Sequence, residues 1–441
     1  MKKKENQQLI MNGVPHKKEG HVSVEKKNEE IENIPDGQIS FFEDITDSMI
    51  DQSLVEARLK DALEKEQPKS KKKSLITNLI FLALNLFVLF FIIRTCLGET
   101  QGVPLKQIFQ TQGKQLWWLV GGALLFLLMF FADTMMFYFL IKRSTGKRRF
   151  GLAYKVSSVG KYYDAITPFS VGGQPSQIMN LARAGVSPGV ATSIPIIKLI
   201  IYNIVYTVTI LVFMLVGFPF LPIESSLVEF FKIFLKFFAY LGLIFTGMVS
   251  VVFILIGSGK IIGRSVVRWI VRLGYKLRIV KDYRKTYNKI MNQVLEYQSS
   301  IQYLRNNKGT LFACIVFGLI EVLAYFAMPF MVVMAFTSNP VVSASAGFSL
   351  LFVCIVKFMI CQMASVVIPL PGGTGMMEVS FAILFGGSTM LGAYFAFGLL
   401  AWRFLTYYFT IVQGFTVSTI DNIVKISKNK KTKNKTENLT K

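Results

Sequence analysis

Beyond residue 73 the hydrophobic positions fall into continuous runs rather than the alternating or 3.6-residue patterns of half-buried elements. Runs over 74–93, 116–141, 190–217, 227–256, 310–336 and 391–419 are each long enough to cross a bilayer as a helix. Two other stretches break the pattern. Residues 151–184 are only moderately apolar and contain Thr167-Pro168-Phe169-Ser170-Val171-Gly172-Gly173-Gln174-Pro175. Residues 347–385 contain Pro369-Leu370-Pro371-Gly372-Gly373-Thr374-Gly375. Proline removes a backbone donor and glycine holds a helix poorly. Broken chain at membrane depth survives only where protein or a water-filled cavity satisfies its backbone. The sequence therefore predicts an all-α polytopic membrane protein with about six transmembrane helices and two re-entrant helical hairpins.

The two breaks are related. Gly172-Gly173 and Gly372-Gly373 lie 200 residues apart, and each pair follows a proline, Pro168 or Pro369. Units of about 116–217 and 310–419 then share one order: span, broken hairpin, span. Loop charge sets their relative direction. Residues 142–149 carry five positive charges in eight positions, and 257–308 carry 12 Lys/Arg against two acids. The stretches 218–226 and 337–345 carry one acid between them. By the positive-inside rule both termini are cytoplasmic, and the hairpins enter from opposite faces. That is an inverted-topology repeat, which secondary transporters use to build a midplane site.

Composition agrees with this picture. The 441-residue chain is 52% apolar, with mean hydropathy +0.47 and a net charge of +23. Residues 1–73 hold 14 basic and 15 acidic side chains, so the excess lies in the membrane part, with 35 against 11. That distribution suits contact with anionic lipid and gives no reason to expect nucleic acid. The expected arrangement is a cytoplasmic extension (1–73), a membrane domain (74–420) and a basic tail (421–441). The extension shows no signal-peptide pattern. A helix at 40–66 either docks on the membrane domain or stays solvated. Arg264, Arg268, Arg272 and Lys276 recur every four residues, with Val267, Trp269, Ile270 and Leu273 between them. That pattern suits either a surface-lying amphipathic helix or a solvated basic face. The cysteines and histidines show no metal-ligand spacing, and no cofactor is expected.

Charges inside apolar segments mark candidate sites, because each costs about 2.5–3.5 kcal/mol at the bilayer centre unless it is paired or hydrated. Asp133, Asp164, Lys198, Glu321, Lys357, Glu378 and Arg403 qualify. Glu378 follows the second break, and Arg403 lies within the last span near Tyr407 and Tyr408. An arginine there can hold a lipid phosphate bidentately; equally, Arg403 and Glu378 can pair and tie the hairpin to the span. The candidate substrate-binding set is Gly172, Gly173, Gln174, Gln177, Gly372, Gly373, Thr374, Glu378, Arg403 and Tyr407. Gln174 and Gln177 either donate to a head group or satisfy freed backbone. Asp164, Glu321 and Lys198 are candidates for energetic coupling, with Lys198 also placed to snorkel.

At the two broken motifs the sequence resembles the lysylphosphatidylglycerol synthase transmembrane region family, a flippase-like group of integral membrane proteins. The likeness is carried by residues 167–175 and 369–378 and extends over about 74–420. It implies a domain that moves lipids, or handles lipid-linked products, between leaflets of a bacterial cytoplasmic membrane. In the full-length synthases a soluble domain transfers lysine from lysyl-tRNA to phosphatidylglycerol. This chain stops about twenty residues after the last span, so the expectation is a membrane part without that activity.

Three functions follow as expectations. The first is translocation, by flipping or scrambling, of an anionic or aminoacylated phospholipid or another lipid phosphate. The sequence has no G-x-x-x-x-G-K-[ST] stretch, so ATP drive by this chain is not expected. The second is a lipid-modifying enzyme such as a phosphatidylglycerol lysyltransferase, for which Asp164 is the acid best placed as a base. The third is a membrane partner of a separate lipid synthase.

Overall fold

The computed structural model describes residues 115–421 apart from 168–169, 171, 218–228, 277–281, scattered positions between 285 and 306, 338–343, 367–369 and 387–389, together with isolated residues 90 and 113. The expected span at 74–93, the 1–73 extension with its 40–66 helix, Pro168, Pro369 and the 422–441 tail lie outside the described residues. The helices are α1 (Trp117–Thr145), α2 (Phe150–Ile166), α3 (Gly173–Arg183), α4 (Pro188–Gly217), α5 (Glu229–Ser258), α6 (Lys260–Lys276), α7 (Lys308–Phe336), α8 (Ala344–Val366), α9 (Met376–Phe385) and α10 (Phe395–Asp421). No strand occurs among the described residues.

Six of these helices are long and apolar enough to cross a membrane: α1, α4, α5, α7, α8 and α10. Five of them fall on expected spans; the sixth expected span, 74–93, lies outside the described residues, and α8 is an addition to the expected set. Residues 347–366, read from the sequence as one arm of a hairpin, belong to a 23-residue helix. At about 1.5 Å per residue it is long enough to span. Composition alone does not mark where such a helix turns back.

The two halves repeat the same order of elements: long helix, second helix, glycine break, short helix, long helix. The first half is α1–α2–α3–α4 and the second is α7–α8–α9–α10. Helices α1 and α7 pack antiparallel. Gly122 faces Met331 near one end, and the Cys314 Sγ lies 4.0 Å from the Met136 carbonyl towards the other. Phe126 and Phe130 of α1 and Val322, Phe326 and Phe330 of α7 belong to one buried apolar cluster. The outer faces stay greasy. Leu124, Leu127 and Phe131 on α1 are exposed, as are Ile233, Phe237, Ile244 and Met248 on α5, as expected of helices solvated by lipid.

Each break closes a helical hairpin. Helices α2 and α3 lie antiparallel, with Gly160 against Gln177 and the Gly173 N–H on Asp164 at 2.8 Å. At their base Arg149 Nη1 donates to the Ala184 carbonyl at 2.9 Å. This base adjoins the basic end of the bundle, where α1 finishes and α7 begins. Helices α8 and α9 form the second hairpin, with Lys357 Nζ on the Leu384 carbonyl at 2.8 Å and Gly373 against Ser365. Because α8 follows the end of α7, this hairpin starts from the opposite end of the bundle.

Helix α10 brings the two breaks together. Its later half runs antiparallel to α2: Lys155 pairs with Asp421 at 2.6 Å, Gln413 donates to the Tyr154 hydroxyl at 3.1 Å, and Gly414 packs on Ser158 and Tyr162. Midway along α10 sits a π-turn, Phe404–Tyr408. Tyr407 in that turn touches both breaks: its hydroxyl donates to the Ala165 carbonyl at 3.2 Å, and its ring lies against Gly372.

Candidate functional site

Two charged clusters lie within the bundle. The first joins four helices. Asp133 comes from α1, Lys161 from α2, Lys198 from α4 and Glu321 from α7. Lys161 Nζ lies 2.6 Å from Glu321 and 3.7 Å from Asp133. Lys198 pairs with Asp133 and lies 3.8 Å from Glu321. Ser157 also donates to Asp133. Each lysine thus meets both acids, and the cluster is neutral overall. Each of the four lies ten to thirteen residues from the basic end of its own helix. That places them together about 15–20 Å deep.

The cluster is asymmetric. The Asp133 and Glu321 side chains are 1% and 2% exposed, whereas Lys161 and Lys198 are 20% and 13% exposed. The carboxylates are the most deeply buried members, and the two lysine side chains are the more exposed ones. The aromatic surround favours cations in this position: Lys198 Nζ sits 4.5 Å from the Tyr202 ring centre, and Lys161 Nζ 5.7 Å from that of Phe130. A buried ion pair holds only when its charges are matched and hydrogen-bonded, so removing one member strands its partner.

The second cluster secures the second break. Arg403 directs Nε and Nη2 to the Glu378 Oε1, each at 2.6 Å, and Nη1 to the Gly372 carbonyl at 3.3 Å. The other Glu378 oxygen accepts the Gly375 N–H at 2.6 Å, placing a carboxylate on the first turn of α9, where helix polarity favours it. Gly372 and Gly373 have φ of +61° and +63°, a region that costs an L-residue about 1–2 kcal/mol. The first break needs its glycines for a different reason. Gly172 has φ −79°, but a Cβ there would meet Thr167 at 2.6 Å, and one on Gly173 would meet the Asp164 carboxylate at 2.4 Å.

The candidates from the sequence therefore fall into three groups. Gly372, Gly373, Glu378, Arg403 and Tyr407 are gathered at the second break, and Thr374 is buried within it. The Arg403 fork engages Glu378 and Gly372, the arrangement in which the pair fastens the hairpin to the last span. Gly172, Gly173 and Asp164 are gathered at the first break, where Asp164 accepts the Gly173 N–H. Gln177 is buried against Gly160, and Gln174 is half-buried in the first turn of α3. Glu321 and Lys198 meet in the four-charge cluster. Asp133, named from the sequence among the charges within apolar segments but in neither the substrate-binding nor the coupling set, and Lys161, which was not singled out, complete that cluster. The available signal was charge balance: two acids and two lysines inside otherwise apolar segments. Among the described residues no group of three His, Cys, Asp or Glu side chains is arranged to hold a metal.

Six helices long and apolar enough to cross a membrane, one of them (α8) paired with a shorter helix across a glycine break and others charged at their buried faces, define a multi-pass membrane protein. The chain belongs to the lysylphosphatidylglycerol synthase TM region family, whose profile matches residues 75–414. Neither the curated proteins nor the solved structures compared with the chain gave a match.

Proposed function

We propose that this chain moves a lipid between the leaflets of a cytoplasmic membrane, by flipping or scrambling, and that the lipid is an anionic or aminoacylated phospholipid or another lipid phosphate. One observation carries the reading: two chain breaks, approached from opposite ends of the bundle, meet at Tyr407, one turn along α2 from Lys161 in a buried cluster whose more exposed members are lysines. In this reading α2–α3 and α8–α9 are re-entrant hairpins, the first entering from the cytoplasm and the second from outside. Both termini are cytoplasmic. The breaks supply backbone polar groups at mid-depth, and Lys161 and Lys198 supply positive charge for a head-group phosphate. Alternating exposure of such a site to either leaflet is the work for which an inverted repeat is suited.

A lipid-modifying transferase needs a general base at a donor site. Asp164, the best-placed acid in the sequence, caps the start of α3 instead, which favours translocation over transfer. The test uses the purified chain in liposomes with head-group-labelled phosphatidylglycerol, without ATP or tRNA. Movement of label between leaflets above the protein-free rate supports the proposal. New lipid product only on adding lysyl-tRNA supports the enzyme. Inactivity in both supports a partner of a separate synthase.

A further inference from the structure

We infer that α6 is a membrane-surface anchor that binds an anionic leaflet at the basic end of the bundle, independently of any transport. The sequence pattern left open whether this helix lies on a membrane or in water. The structure fixes which of its faces is already occupied. Gly263, Val267 and Val271, each four residues apart, are buried. They pack towards Ile200 of α4, Ile256 of α5, and Met291 and Val294. A Cβ on Gly263 would meet the Gln298 amide at 2.4 Å and the Ile256 carbonyl at 2.9 Å, so only glycine allows this approach.

The turn from α5 into α6 is also fixed. Gln298 Nε2 donates to the Ile256 carbonyl at 2.7 Å and to the Gly259 carbonyl at 3.1 Å. These bonds hold the corner where the crossing helix ends, so α6 begins at the level where α5 leaves the apolar layer.

With one face turned inward, the remaining surface divides lengthwise. At 3.6 residues per turn, Ile262, Val266, Trp269, Ile270 and Leu273 fall on one flank, and Arg264, Arg268, Arg272 and Lys276 on the other. Ile262, Trp269, Ile270 and Leu273 are exposed, Trp269 at 65%. Arg272 and Lys276 are exposed as well. Ile261, at the first turn, and Tyr275, at the last, are the exceptions on the basic side. A helix docked along its inner face with an apolar flank on one side and cations on the other matches the lipid–water boundary: tryptophan and aliphatics enter the acyl region while Arg272 and Lys276 reach phosphates. The cations commit the occupant to an anionic leaflet, since a neutral one offers them no net attraction.

The experiment reconstitutes the full chain into vesicles containing phosphatidylcholine or phosphatidylglycerol brominated on the acyl chains, at equal mole fraction. The signal is the part of the tryptophan fluorescence lost in Trp269→Phe, with Trp269→Tyr as a second subtraction. The expected result is quenching of that part by both lipids, about two-fold or more stronger with the phosphatidylglycerol form. The ratio falls to about one in the Arg272→Gln/Lys276→Gln variant and in wild type at 1 M salt, where the screening length is about 3 Å. A Trp269 contribution that neither lipid quenches places the flank in water or against protein and overturns the inference. So does a ratio of one in wild type at low salt, or a ratio that the double variant leaves unchanged. No readout depends on lipid movement, so failure here leaves the translocation proposal standing, and the reverse also holds.

Discussion

The Tyr407 hydroxyl donates to the carbonyl of Ala165, the next-to-last residue of α2, while its ring covers Gly372 in the other half of the chain. One side chain therefore links two breaks separated by 200 residues. Tyr407→Phe keeps the ring and removes the link. Thermal unfolding in detergent should show a loss of about 1 kcal/mol. Translocation should persist at the wild-type rate or faster, because the bond only holds the two tips together. Loss of translocation in this variant would show that the hydroxyl acts on the cargo.

The four-charge cluster separates stability from transport. Lys161→Met leaves Glu321 without its nearest cation and should cost about 3–5 kcal/mol. Lys161→Met/Glu321→Gln removes both charges and should recover much of that stability. Translocation should stay lost in both variants, since the proposal needs the ammonium group. Recovery of transport along with stability would reduce the pair to a fastening.

Arg403 and Glu378 were expected from the sequence either to hold cargo or to pair. The structure shows them paired, with the guanidinium also on the Gly372 carbonyl. Arg403→Ala and Glu378→Ala should each lower the unfolding temperature and abolish translocation by releasing α9. Arg403→Lys keeps the charge but not the fork. It should lose about 1–3 kcal/mol in thermal unfolding, measured beside Arg403→Ala.

Gly372→Ala combines a left-handed backbone with a collision: the new Cβ would lie 2.3 Å from the Tyr407 ring. Gly146→Ala is the matched control, with φ +68° and nothing within 4 Å of the added carbon. The control should cost about 1–2 kcal/mol, and Gly372→Ala clearly more, with translocation impaired only in the latter. Equal losses would mean that Tyr407 moves aside freely.

Much of this architecture was legible in the sequence because continuous apolar runs fix crossing helices with little ambiguity. The run at 190–217 falls within α4, and those at 116–141 and 310–336 differ from α1 and α7 by at most four residues at either end. The difficulty lay with α8, where an unbroken apolar composition hides whether a helix crosses or turns back. The Arg403–Glu378 pair was legible because Glu378 directly follows a visible break and Arg403 is the one charge in the apolar run after it. The pairing of Asp133 with Lys161, Lys198 and Glu321 was not. Its members lie on four helices, up to 188 residues apart, and composition does not say which buried charges meet. Nor did it distinguish a glycine needed for its backbone angle, as at Gly372, from one needed for close packing, as at Gly173.

Everything proposed about function requires the two hairpins to dip into the bilayer from opposite faces. Sidedness of labelling tests this directly. In a chain whose four cysteines are replaced by alanine, a single cysteine is placed at Ser187, beside the base of the first hairpin, or at Phe348, near the start of the second. Both positions are exposed. In oriented membranes, a membrane-impermeant maleimide should reach Ser187→Cys only from the cytoplasmic face and Phe348→Cys only from the other. Labelling of both from a single face would contradict the account.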